Sequence, residues 1–187
     1  MGLLVLASGG CATCGFDAFL LPAKRQLNAL KNRTALPSQT DIDPRVTLEA
    51  MLAPGDDRER WSQDRAGAIE AIVVRVHDAG RESANCFSST RLDAHLEMAE
   101  QGGAPPNRRV IVEVTPPMRE WAARQGMDWT TVTLQRELTG RRVRIEGWLL
   151  FDEEHDGEAE NSRPGRSANW RATAWELHPV TAIRVLP

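Results

Sequence analysis

Three strand-like runs, a helical segment and two further strand-like runs, in that order, predict a mainly β fold. This is the β-β-β-α-β-β order of the five-stranded oligonucleotide/oligosaccharide-binding (OB) barrel. The helical segment falls between the third and fourth runs, where such a barrel takes its helical plug. Gly147 interrupts the fourth run at a point where such a barrel needs a bend or bulge.

Three regions precede or make up this barrel: an apolar, cysteine-bearing N-terminus (1–14), a helical extension (15–65) and the barrel domain (66–187). In the extension a short helix is expected over Leu20 to Leu30. Asp43-Pro44 is a cap and first-turn signal for a second helix, which would carry Val46, Leu48, Met51 and Leu52 inward and stop at Pro54-Gly55. From Ala68 the period becomes that of strands. AIEAIVVRVHD (68–78) is a β-branched run, and RLDAHLEMAE (91–100) alternates strictly. In the second run Leu92, Ala94, Leu96 and Met98 share one face, and Asp93, His95 and Glu97 share the other. RRVIVEVTP (108–116) forms the third strand, closed by Pro116-Pro117. PMREWAARQG and DWTTVTLQRELTG read as helical and stop at Gly126 and Gly140. RRVRIEGWLLFD (141–152) and NWRATAWELHPVTAIRV (169–185) are the last two strands, with His178-Pro179 kinking or ending the second. Between them lies a polar loop, 152–168, of a length that often carries function.

A chain of 187 residues, 41% hydrophobic, can bury one ordinary core. Its net charge of -3 means that a nucleic-acid role needs a local basic face. Cys11, Cys14 and Cys86 are too few for a disulfide scaffold. A lone Cys-x-x-Cys also lacks the second pair of a four-cysteine zinc site, so unpaired or singly bridged thiols are expected. No apolar run is long enough for a transmembrane segment. Ser8-Gly9-Gly10-Cys11 is similar to the small-residue end of a bacterial lipoprotein signal, without the usual leucine three residues before the cysteine. A cytoplasmic protein and an extracytoplasmic lipoprotein anchored through Cys11 both fit, the latter as a structural or interaction domain.

Several side chains are candidates for chemistry. Asp93, His95 and Glu97 form an acid–imidazole row that suits a divalent metal or proton transfer, and equally the solvated face of a strand. Asp152 and His155, with Glu153 and Glu154 between them, suit manganese or zinc, or are a solvated charge run. Trp148, Trp170 and Trp175 suit stacking on bases or sugars if they lie on an exposed barrel face, and are core if buried. In the fifth strand Ala172 and Ala174 mark the packed face, with Trp170 and Glu176, which leaves Arg171 and Trp175 facing solvent or ligand. His178 fits a structural or a catalytic role. The expected function is non-covalent binding of single-stranded nucleic acid, or another polyanion or polysaccharide, across Arg109, Arg142, Arg144, Trp148, Arg171 and Trp175.

Two resemblances add to this. WRATAWELHPVTAI resembles the close of a group of uncharacterised bacterial proteins that share a Trp-Glu-Ile/Leu-His-Pro-Val-Thr ending. The likeness also takes in GWLLFDEEH and RESANC, covering most of residues 68–185, and implies a coherent domain without naming an activity. More loosely, RVIVEVTP and RATAW resemble the staphylococcal-nuclease-like branch of the OB class. That likeness implies a metal-dependent phosphodiesterase using calcium or manganese. Arg109 and Arg171 would clamp the phosphodiester, and Glu82 and Glu113 would be among its acids, with Asp78 nearby. Val114 stands where that family has a metal-binding aspartate, and Pro117 where it has its base glutamate. Glu113 lies one residue off, on the opposite face of the strand.

Overall fold

The computed structural model describes residues 22–82 and 87–187. The three cysteines, the candidate lipoprotein signal and most of RESANC lie outside the described residues. Among the described residues no helix is long and apolar enough to cross a membrane.

The fold is mainly β. Strands β1 (Ala66–Asp78), β2 (Ala94–Ala99), β3 (Val110–Val114), β4 (Arg142–Phe151) and β5 (Trp175–Val185) close into a barrel in the order β1-β2-β3-β5-β4. All neighbours are antiparallel except β3 and β5, which run parallel with Val112 opposite Leu177. This is the OB-like arrangement expected from the element order.

Period-2 alternation fills the interior. Leu96 and Met98 of β2, Val110, Val112 and Val114 of β3, Val143, Ile145 and Leu149 of β4, and Trp175 and Leu177 of β5 all join one buried cluster. Helices α3 (Pro116–Arg124) and α4 (Thr131–Leu138) lie between β3 and β4, and add Met118, Ala122, Leu134 and Leu138 to it. Gly126 and Gly140, both with φ of +79°, follow these helices and satisfy the left-handed geometry at which they stop.

The extension packs on this core through α1 (Pro22–Lys31) and the short α2 (Leu48–Leu52). Met51, Leu52 and Trp61 are buried with the barrel residues. The α2 cap differs from the expected Asp43-Pro44: Thr47 accepts from the Ala50 amide at 3.1 Å, and Asp43 is held by Arg45. Asp43 follows the β-bridge of Ile42 to Ala66, so it is engaged before the helix starts.

An irregularity in β1 decides which of its side chains reach the outer wall. The inward residues are Ile69, Ala71 and Val73, yet the next is Val76, because the register with β2 shifts between Val73 and Arg75. A one-residue bulge reverses the facing of everything after it. Arg75 and His77 therefore stand on the outside of the barrel. A second irregularity brackets Gly147, where a Cβ would lie 2.7 Å from the Pro179 carbonyl oxygen. Gly147 thus serves the bulge expected of it.

β5 departs from its expected form in two ways. It starts at Trp175, and 169–174 make only a single bridge, Arg171 to Ala159. It also continues through Pro179 to Val185 and does not end there. Trp175 points into the barrel, 5.7 Å from the Trp61 ring and 5.3 Å from Phe151, and its Nε1 donates to the Asp57 carbonyl at 2.7 Å. The expected facing of Trp175 and Arg171 toward solvent is thereby corrected: both are buried, at 2% and 0% exposure. Alternation counted from Trp170 fails because the chain is not yet a strand there.

Candidate functional site

The outer face of β1, β2, β3 and β5 carries polar side chains in register. His77 lies opposite His95, and His95 opposite Glu113, while Arg75 lies opposite Glu97. On β5, Glu176 and His178 continue the row, since Trp175 and Leu177 take the inside. The row is no solvated face: His95, Glu97, Glu113, Glu176 and His178 are all buried. Lys31 of α1, Glu82, and Asp152, His155, Trp170 and Arg171 from the long loop and the approach to β5 lie against it. A pocket of about 870 Å³ remains between them, within the usual range of small-molecule sites.

One wall of the pocket is aromatic. The His77 and His95 rings lie 4.7 Å apart, tilted by 32°, and Trp170 is 5.7 Å from both His95 and His155. The Arg171 guanidinium lies over the Trp170 ring, 5.0 Å from its centre. Arg75, Arg81 and Arg109 also line the pocket.

Behind the wall is a buried ion network. Arg171 donates to Asp152 and to the Thr173 carbonyl, both at 2.9 Å, and to Glu176. His155 donates from Nδ1 to the same Asp152 oxygen at 2.7 Å. Burial alone would raise Asp152, but the His155 hydrogen bond and the Arg171 charge hold it far below the ordinary carboxylate range. The same bond to Asp152 raises His155 against its burial. His178 faces Glu176 at 3.0 Å and Glu113 at 3.3 Å from Nδ1, and Asp93 at 3.5 Å from Nε2. Its burial opposes a charge, yet the three carboxylates overcome this and push it up to about 10. Lys31 pairs with Glu82 and is raised, burial being outweighed by Glu113, Glu82 and Glu176. His77 is lowered by burial and by the neighbouring His95 and Arg75.

The structure brings together Glu82, His95, Glu97, Arg109, Glu113, Asp152, His155 and Arg171, all at this pocket. Asp93 precedes β2 and turns to His178, so it does not share a site with His95 and Glu97. Four expected ligand residues stand elsewhere. Arg142 and Arg144 are on β4, paired with Glu70 and with Glu146 at 3.4 and 3.1 Å. Trp148 donates to the Ala35 carbonyl at 2.7 Å and lies under Arg33, and Trp175 is core. Arg109 is held by Glu97 at 2.6 Å and Arg171 by two carboxylates, so these side chains do not form a free two-arginine clamp.

Sequence reasoning missed Arg75 and His77, whose facing depends on the bulge. Two groups of acidic and imidazole side chains could hold a metal ion: His77, His95 and Glu97, and Asp93, Glu113 and His178. Fold and site together define a closed five-stranded barrel with a half-enclosed pocket of imidazole, carboxylate and guanidinium groups on its outer wall. No family model matches the chain, and a search of curated proteins found no match.

Proposed function

We propose that the protein is an OB-type binding barrel that takes an anionic, phosphate-bearing ligand in this outer pocket, with single-stranded nucleic acid as its polymeric form. The observation that carries this reading is the Trp170–His95–His77 wall beside Arg75, Arg81 and Arg109. Base stacking on such a wall contributes about 1–3 kcal/mol per base. Arginine adds bidentate donation to phosphate. Arg75, 62% exposed, supports phosphate contact at the mouth. The proposed face is thus the outer wall of β1, β2, β3 and β5 rather than that of β4.

A second reading is hydrolysis of the same ligand by a metal-dependent phosphodiesterase. His155 favours it, being partly exposed and oriented by Asp152 as a general acid or base is. Imidazole donors in the pocket suit manganese better than calcium.

The test is titration of fluorescent single-stranded DNA and RNA, with anisotropy and cleavage read together in manganese, calcium or chelator. Binding is expected to weaken with salt and to fall at least tenfold in Trp170→Ala. Binding that is absent at low salt refutes the nucleic-acid reading and makes sugars the next probe. Cleavage abolished in His155→Ala selects the hydrolytic form.

A further inference from the structure

We infer that His77, His95 and Glu97 form a site for one divalent transition-metal ion of the zinc and cobalt type. Two imidazole nitrogens and one carboxylate oxygen are a donor set for such ions and a poor one for calcium or magnesium. Three protein ligands leave at least one position open, and all three residues line the pocket.

The arrangement around each donor is that of a ligand already oriented. His95 is 8% exposed, and its Nδ1 lies 3.3 Å from Glu113 Oε1. A proton on Nδ1, the nitrogen nearest the Glu113 carboxylate, leaves Nε2 as a bare lone pair, and Nε2 is buried with no hydrogen-bond partner among the described residues. A metal-bound histidine typically has this form, its second nitrogen donating to a carboxylate. His77 Nδ1 is buried and lacks a hydrogen-bond partner in the same way, 3.9 Å from Glu97 Oε1. Glu97 gives its other oxygen to Arg109 at 2.6 Å, which fixes the carboxylate and leaves Oε1 toward the histidines.

The ligand atoms lie within 4.8 Å of one another. Bonds of about 2.0–2.2 Å require them to draw together by side-chain rotation, on strands whose pairing holds His77 opposite His95. Arg75, 3.5 Å from Glu97 Oε1, has to swing away, and its 62% exposure leaves it room. The other group is less suited: both His178 nitrogens already face carboxylates and the ring has no exposed surface.

The inference does not depend on the proposed ligand, because the metal alone is the probe. Full-length protein carrying Cys11→Ser, Cys14→Ser and Cys86→Ser, which removes competing thiolates, is stripped with chelator. It is then titrated with Co²⁺ by visible absorption and with Zn²⁺ by calorimetry. One ion per chain is expected, with ligand-field bands of nitrogen and oxygen coordination. His77→Ala and His95→Ala are expected to weaken binding at least tenfold. Glu113→Gln should weaken it about 10- to 100-fold by releasing His95. Circular dichroism checks each fold, and the partly exposed His77 keeps the test open if His95→Ala does not fold. No binding by the folded parent, or less than a tenfold loss in folded His77→Ala, overturns the site.

Discussion

Replacing Arg171 by methionine is expected to cost the protein much of its stability without first acting through any ligand. Arg171 has no exposed surface, and its guanidinium serves Asp152, Glu176 and the Thr173 carbonyl. Removing it strands two buried carboxylates, and breaking a buried pair in this way costs about 3–5 kcal/mol. With a urea m-value of about 2–3 kcal/mol/M for a chain of this size, the midpoint should fall by roughly 1–2.5 M. Asp152 is held below its ordinary value of 3.8, so its contribution is present above that value and lost as pH falls through the folded one. The difference between parent and variant should therefore be fully developed at pH 7. Urea unfolding followed by tryptophan fluorescence measures it, and adding Glu176→Gln to Arg171→Met should recover part of the loss. A loss below about 1 kcal/mol with unchanged m would refute the buried network. An unchanged midpoint with lost ligand affinity would return Arg171 to a binding surface.

Three further outcomes are expected. Gly147→Ala puts a Cβ 2.7 Å from the Pro179 carbonyl oxygen and should destabilise by about 1–3 kcal/mol in thermal unfolding, an unchanged Tm showing that β5 can move. His155 and His178 are both raised, so the stability they contribute is full below 6.5 and lost as pH rises through their folded values. The urea midpoint should accordingly decline from 6.5 toward about 10, earlier in Asp93→Asn, and a rising midpoint contradicts the network. Trp148→Phe removes the bond to Ala35 at a net cost of about 0.5–1.5 kcal/mol and should leave single-strand binding unchanged, whereas a tenfold loss would restore the β4 face as the ligand surface.

The barrel was legible because its strands obey period 2 over most of their length. Leu96 and Met98 declare the inside of β2, and His95 and Glu97 declare the outside, from the sequence alone. What alternation cannot say is whether an outside is wet. His95 is covered by Trp170, far from β2 in sequence, and Glu97 by Arg109 just before the next strand, so the pocket is a product of tertiary packing. The errors have local causes. Counting alternation between Trp170 and Trp175 assumed a strand where the chain makes one bridge, which turned Trp175 outward although it points into the barrel. His77 was hidden because the extra residue near Val74 has no side-chain signature, Val73 and Val74 both being ordinary strand formers.

The β1 bulge makes the phase of the strand, rather than side-chain identity, the variable that sets up this site. Were β1 to keep an even beat through Val74, an arginine and an imidazole would point into the oily interior, while Val76 would come out to water. No substitution is involved, yet the wall would lose its pocket side chains and the barrel part of its filling at one stroke. A change of phase thus alters the wall and the core together, where exchange of one side chain touches only one of them.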